Sequence, residues 1–184
     1  MICAYDKVYL DKARTALGRM LDFAVYDLKY DIAEFFEFFI QSGVGLRFEK
    51  GDFTLLVGMS GAELAYEVLE QSGIEYDRVR PNYTIDRSEE FWTGWALAYY
   101  QWETSLSFAE IVRNIPIRDI MALYSPYHEM DIRQFTDKMN ELYRAAKPET
   151  NLKLRRQKNI NKAQAEYLVM PAQALYCEVT DLLE

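Results

Sequence analysis

Apolar residues recur at three- and four-residue steps through most of the first 146 residues, and this spacing is the strongest constraint on the fold. It places apolar side chains on one face of a helix and charged side chains on the other. The clearest stripes run from Leu10 to Leu28, from Ile32 to Ile40 and from Ile132 to Ala146. They predict an all-α, multi-helix, bundle-like body with short connections.

Helix start signals precede several of these stripes. Ser60 with Glu63 forms a capping box, and Asp31 with Glu34 forms a variant of it. Gly43 stands where the second stripe ends. These signals predict helix boundaries close to the residues named.

The segment from Glu89 to Glu103 is apolar on nearly every side. A helix of this kind is usually central to a core. Its tryptophans, Trp92, Trp95 and Trp102, lie at helical spacing. We expect them in the core rather than in a ligand cage.

Other stretches are less regular. Residues 46–58 fit either a short strand or the approach to a helix, and we do not predict a strand there. The chain from Gly73 to Ser88 predicts a loop. Pro116 suits the start of a short helix running to about Tyr124, and Ser125-Pro126 predicts a turn.

Residues that carry chemistry are sparse. The single histidine, His128, has Glu129 beside it, which falls short of a metal-ligand set, and no phosphate-binding loop motif occurs. Ser60 is better explained as a helix cap than as a nucleophile. We expect no catalytic residue, no metal site and no cofactor, and thus a protein that is not an enzyme.

Charge is unevenly distributed along the chain. The net charge is −8, yet the first 146 residues hold 15 Lys and Arg against 24 Asp and Glu, and the remainder holds six against five. All six of those later bases lie from Lys147 to Lys162, where Glu149 is the only acid. An acidic body thus carries a short basic segment, which predicts two parts with different tasks.

Cysteine usage and hydropathy bear on the compartment. Two cysteines at opposite ends of the chain, Cys3 and Cys177, and the lack of a basic-then-apolar leader argue against a secreted disulfide scaffold. No apolar run approaches the roughly 20 residues that a membrane helix needs. We expect a cytoplasmic protein with no membrane partner.

The C-terminal residues resemble a known family. Their pattern is similar to the closing two helices of the Cro/C1-type (XRE) helix-turn-helix domain, and it consists of Ala165-Glu166, Leu168, Ala172, Ala174-Leu175, Cys177, Val179 and Asp181-Leu182-Leu183. Upstream, Asn151-Leu152-Lys153 with Arg155-Arg156 resembles the opening helix of that domain. The first 146 residues resemble, more weakly, an uncharacterised helical region that precedes such domains.

The central part of that domain is absent from the sequence. The second helix and the recognition helix of the family occupy roughly 30 residues, and the chain passes from Arg156 to Ile160 without room for them. Pro171 is a second departure, because it stands where the family has an apolar helix residue. Residues 148–184 are therefore interpreted as a remnant of the domain, and residues 1–147 as a helical body that binds a partner or a signal.

The resemblance implies a DNA-binding transcriptional regulator or an antitoxin-like protein whose helix-turn-helix is incomplete here. The side chains expected on the DNA backbone are Lys153, Arg155, Arg156, Lys158 and Lys162. By analogy with the family, a homodimer or a protein partner is possible. The alternative is a non-enzymatic protein-interaction module that has lost specific DNA binding.

Overall fold

The computed structural model describes residues 3–82 and 87–147. Backbone contacts divide the chain into two units, Met1–Tyr143 and Arg144–Glu184, and the core described below belongs to the first. Every regular element within the described residues is helical, and none of them is a strand. The all-α prediction is confirmed.

A single 3₁₀ turn at Lys7–Tyr9 precedes the α-helices. These are α1 (Leu10–Tyr26), α2 (Ile32–Gln41), α3 (Val44–Glu49), α4 (Phe53–Leu56), α5 (Gly61–Gln71), α6 (Glu89–Thr104), α7 (Phe108–Asn114), α8 (Ile117–Met121), α9 (Tyr124–Tyr127) and α10 (Ile132–Ala146). The long helices coincide with the predicted stripes, because each buries the apolar face that its periodicity defines.

Side-chain caps fix the helix starts. At α5 the box is reciprocal: the Ser60 hydroxyl accepts the Glu63 N–H at 3.3 Å, and the Glu63 carboxylate accepts the Ser60 N–H at 2.7 Å. At α2 the Asp31 carboxylate accepts the N–H groups of Ala33 and Glu34. Each such cap satisfies N–H groups that have no acceptor within the helix.

Helices α1 and α6 form the central pair, and two glycines set their separation. A Cβ added at Gly94 would lie 2.6 Å from the Leu17 carbonyl oxygen, and one added at Gly18 would lie 2.7 Å from the Phe91 carbonyl oxygen. The two backbones therefore approach at a distance that no side chain permits. This crossing confirms the central place predicted for residues 89–103.

Phenylalanines join α2 and α3 to α7. Five pairs among the rings of Phe36, Phe39, Phe48 and Phe108 have centroids 5.4–6.1 Å apart, and three of these pairs are edge to face, which is a favoured geometry for aromatic pairs. The Glu49 carboxylate reinforces this junction by accepting the Phe108 N–H at 2.9 Å. Burial raises the pKa of Glu49 despite that hydrogen bond.

Three short segments differ from expectation or resolve an ambiguity. Residues 46–58 contain parts of α3 and all of α4, so the strand alternative is not realised. The helix after Pro116 ends at Met121, before the predicted end at about Tyr124. The turn predicted at Ser125-Pro126 is wrong, since both residues lie in α9, whose first turn accepts a proline without losing a hydrogen bond.

Candidate ligand-binding cavity

The cationic side chains predicted to contact DNA lie outside the described residues. They are Lys153, Arg155, Arg156, Lys158 and Lys162. Only the start of the basic segment, Lys147, follows α10 within the described part of the chain.

The body contains a cavity between α1, α4, α5 and the segment 74–82, which we call the α1–α5 cavity. Its volume is about 240 Å³. A second cavity of about 440 Å³ adjoins it, and Asp22, Asp27 and Asn82 line both. The α1–α5 cavity is lined by Lys12, Thr15, Ala16, Arg19, Asp22, Phe23, Asp27, Leu56, Val57, Met59, Ser60, Gly61, Ala62, Pro81 and Asn82.

One face of α1 supplies most of the polar lining. Lys12, Thr15, Arg19 and Asp22 follow one another at three- and four-residue steps, so they project from the same side of the helix. Lys12 thus lies at the start of this face, and Arg19 and Asp22 lie together at its end. The cavity is polar along this wall and apolar where α4 and α5 contribute.

The start of α5 closes the floor of the cavity. A Cβ added at Gly61 would lie 2.6 Å from the Met20 backbone nitrogen, so α5 begins directly against α1. The capping box keeps Ser60 at this position, and Ser60 and Ala62 line the cavity beside Gly61. Ser60 acts as the helix cap that the sequence predicts.

Pro81 and Asn82, at the end of the segment 74–82, form the outer wall, and the segment is anchored through side chains. The Tyr66 hydroxyl accepts the Val79 N–H at 2.9 Å and donates to the Val79 carbonyl at 3.2 Å. The Tyr66 ring also stacks on Tyr76 with centroids 4.8 Å apart. The Asn82 N–H donates to Asp27 at 3.2 Å, which ties the end of the segment to α1.

Asp22 is the most enclosed charge at the cavity. Its side chain is 11% exposed, accepts the Ser88 hydroxyl at 2.5 Å and lies 3.7 Å from the Arg19 guanidinium. A buried carboxylate needs such partners because desolvation otherwise disfavours its charge. The α1–α5 cavity therefore combines charges of both signs with an apolar wall, a composition that is typical of small-molecule sites.

The tryptophans of α6 occupy different environments. Trp92 and Trp102 are buried, at 8% and 9% exposure, which confirms the core prediction for them. Trp95 packs against the core but is only partly buried, so the prediction of a fully buried core position is wrong for this residue. The Arg14 guanidinium carbon lies 3.3 Å from the centre of the Trp95 ring and covers that face.

His128 lies at the C-terminal end of α9. Its ring stacks on Tyr124 with centroids 4.4 Å apart, and its Nδ1 lies 3.0 Å from the Tyr124 carbonyl oxygen. Among residues 3–82 and 87–147, no group of three His, Cys, Asp or Glu side chains converges on a common point for a metal. Within the same ranges, no helix has the length and hydropathy to cross a bilayer.

Comparison with protein-family models, with curated proteins and with solved structures finds no match for this chain. The class of the protein therefore rests on its own geometry. That geometry defines an all-α body with a mixed polar and apolar cavity beside its central helix.

Sequence reasoning did not identify the cavity. Its residues come from distant parts of the chain, and none of them forms a motif. One signal is present: Lys12, Arg19 and Asp22 share the polar face of α1, although the spacing alone indicates only the solvated side of an amphipathic helix. The structure shows that α5 and the segment 74–82 partly cover that face.

Proposed function

We propose that the chain is a non-enzymatic DNA-binding regulator in which the basic segment contacts the phosphate backbone and the helical body binds an effector or a partner. The observation that carries the proposal is the separation of charge. Six Lys and Arg lie between Lys147 and Lys162 with one acid among them, whereas the first 146 residues have nine more acids than bases. Cations gathered in one short segment favour binding to the phosphates of nucleic acid, whereas an acidic body repels them.

The resemblance of the C-terminal residues to the XRE helix-turn-helix family supports the same proposal. The α1–α5 cavity supports the role given to the body, because it is a ligand-sized concavity on a folded scaffold. Since the sequence lacks room for a recognition helix, base edges in the major groove are out of reach. The proposed binding is therefore electrostatic and indifferent to DNA sequence.

The test is a titration of the chain against random and palindromic duplexes at several salt concentrations. If all six bases meet phosphates, log K falls against log salt with a slope of about −5, since each neutralised phosphate contributes about −0.9. Replacing the five predicted contacts by Gln is expected to reduce the slope to about −1. These contacts are Lys153, Arg155, Arg156, Lys158 and Lys162.

A matched control removes the same number of charges from the body. The five positions changed to Gln are Lys7, Lys50, Arg80, Arg113 and Lys138. This control is expected to keep the wild-type slope. Equal slopes in the tail and body variants would contradict the proposal, and discrimination above about 1,000-fold between duplexes would require a recognition element that the sequence lacks.

A protein-interaction module is the second candidate, and one surface feature favours it. Val8 and Phe53 are exposed at 72% and 68%, and Leu46 and Val57 are also exposed. Phe53 and Val57 are neighbours at α4, where the Val57 N–H donates to the Phe53 carbonyl, and contiguous exposed apolar surface is the feature that marks interaction sites. Absence of DNA binding at low salt would favour this candidate over the regulator.

A further inference from the structure

A separate cavity lies where α2 and α3 meet the start of α7, and we call it the Glu49 cavity. Its volume is about 190 Å³. Ile40, Gly45, Leu46 and Glu49 line it together with residues 107–109. Within this lining, all of which belongs to the described part of the chain, Glu49 is the one charged residue. The Glu49 cavity shares no lining residue with the α1–α5 cavity, so it is a distinct site.

The walls of the Glu49 cavity are mostly apolar and extend from the surface to the core. Leu46 is 51% exposed, whereas Phe108 is 1% exposed. Leu46 and Glu49 are three residues apart on α3 and therefore project from the same side of that helix. An apolar side chain and a carboxylate thus stand next to each other at this cavity.

The two oxygens of the Glu49 carboxylate have different surroundings. Oε2 accepts the Phe108 N–H at 2.9 Å, which holds the carboxylate against residues 107–109, and those residues line the cavity. Oε1 accepts no hydrogen bond from any described residue, and it is not closed to solvent. One oxygen is therefore fixed by the protein, and the other is open to a donor from outside.

The surrounding side chains do not balance the charge of this carboxylate. No Lys, Arg or His side chain of residues 3–82 and 87–147 lies within 4 Å of it. Burial raises the pKa of Glu49 by more than the Phe108 hydrogen bond and the charge of Lys50 lower it. Lys50 itself is exposed. A cation placed beside such a half-buried carboxylate favours its ionised form and is held by it in return.

The chemistry of the lining selects the occupant. Oε1 needs a donor and the carboxylate needs a cation, and a primary ammonium group satisfies both needs because it is a cation with three N–H donors. The apolar walls match a short hydrocarbon chain. Since one water takes up about 30 Å³ of the liquid, the cavity holds roughly six non-hydrogen atoms, which limits the amine to about four or five carbons.

We propose that the Glu49 cavity binds the primary ammonium group of a small alkylamine. Oε1 of Glu49 accepts an N–H of the ammonium group, and Ile40, Leu46 and Phe108 contact the carbon chain. A water in the cavity would donate to Oε1 but would leave the charge unbalanced. The inference goes beyond the proposed function, because none of these residues belongs to the α1–α5 cavity or to the basic segment.

The experiment is a titration of the isotope-labelled full chain with n-butylammonium chloride at pH 7 and constant ionic strength. Carbon NMR follows the side-chain carboxyl group of Glu49 together with the methyl groups of Ile40 and Leu46. We expect these signals to move to saturation with one common dissociation constant. Signals that stay fixed, or that move without saturation, would overturn the proposal.

A second ligand separates the charge from the hydrocarbon chain. n-Butanol has the same carbon chain and one hydroxyl donor but no charge. We expect it to bind about tenfold more weakly than n-butylammonium, because hydrogen bonds between charged groups are stronger than those with a neutral partner. Equal affinity for the two ligands would show that the carboxylate does not select a cation, and the proposal would fail.

Two variants locate the site, and a third is the matched control. Glu49→Gln keeps an acceptor for the Phe108 N–H without the charge, so n-butylammonium binding should weaken about tenfold. Ala109→Leu extends a cavity wall and leaves Glu49 in place, so it should abolish binding, and it keeps the test decisive if Glu49→Gln does not fold. Glu34→Gln removes the same charge from an exposed position on α2 and should bind like the wild type. Wild-type affinity in either cavity variant would place the amine elsewhere and overturn the proposal.

Discussion

Replacing Gly94 by alanine tests the central helix crossing directly. The new methyl carbon would lie 2.6 Å from the Leu17 carbonyl oxygen, 2.8 Å from the Leu17 carbonyl carbon and 2.9 Å from the Gly18 Cα. All three atoms belong to the α1 backbone, so no side chain can rotate away. The two helices must therefore separate by several tenths of an ångström along their most extensive contact.

The expected magnitude follows from two opposing effects. Overpacking a close contact costs about 1–3 kcal/mol, and a clash between backbones falls toward the upper end of that range. Alanine regains about 1 kcal/mol of helix propensity relative to glycine. We therefore expect Gly94→Ala to lower the free energy of unfolding by about 1–2 kcal/mol, which lowers Tm by about 2–8 °C.

The assay is urea and thermal unfolding followed by circular dichroism at the helical band. The control is the pair Asp137→Gly and Asp137→Ala on the exposed face of α10, which measures helix propensity in this protein without a packing term. The difference in unfolding free energy between Asp137→Ala and Asp137→Gly is the gain in helix propensity. Adding it to the free energy lost in Gly94→Ala gives the cost of the clash alone. A Gly94→Ala protein as stable as the wild type would refute the close crossing.

Further expectations concern the caps, the charges and the tail. Ser60→Ala should cost about 1 kcal/mol by urea unfolding, because it leaves an N–H at the start of α5 without an acceptor; no loss would argue against the capping box. The hydrogen bonds from Arg133 lower the pKa of Asp131 from 3.8 to about 2. The ionised Asp131 carboxylate therefore stabilises the fold above pH 4, and this stabilisation is lost as pH falls toward 2. Carbon NMR should show that Arg133→Gln returns the pKa of Asp131 toward 3.8. A chain ending at Lys147 should melt cooperatively, since the predicted stripes lie before Pro148; a molten product would show that the tail belongs to the core.

The sequence by itself determined the helices and most of their boundaries. Their signals are local, because apolar spacing and caps act over three or four residues. The Ser60–Glu63 box and the Asp31 cap form as those patterns indicate. The segment 46–58 was ambiguous for the same reason: α3 and α4 are too short to show a period.

Only the tertiary structure decided which helix faces meet. The hydrogen bonds from Ser88 to Asp22 and from Phe108 to Glu49 join residues 66 and 59 positions apart, and no local pattern encodes such pairs. The burial of Arg14 depends on the separation of α1 and α6, which Gly94 sets through packing. Periodicity specifies that a face is buried, whereas steric fit between distant segments selects the partner that buries it and leaves the cavities between them.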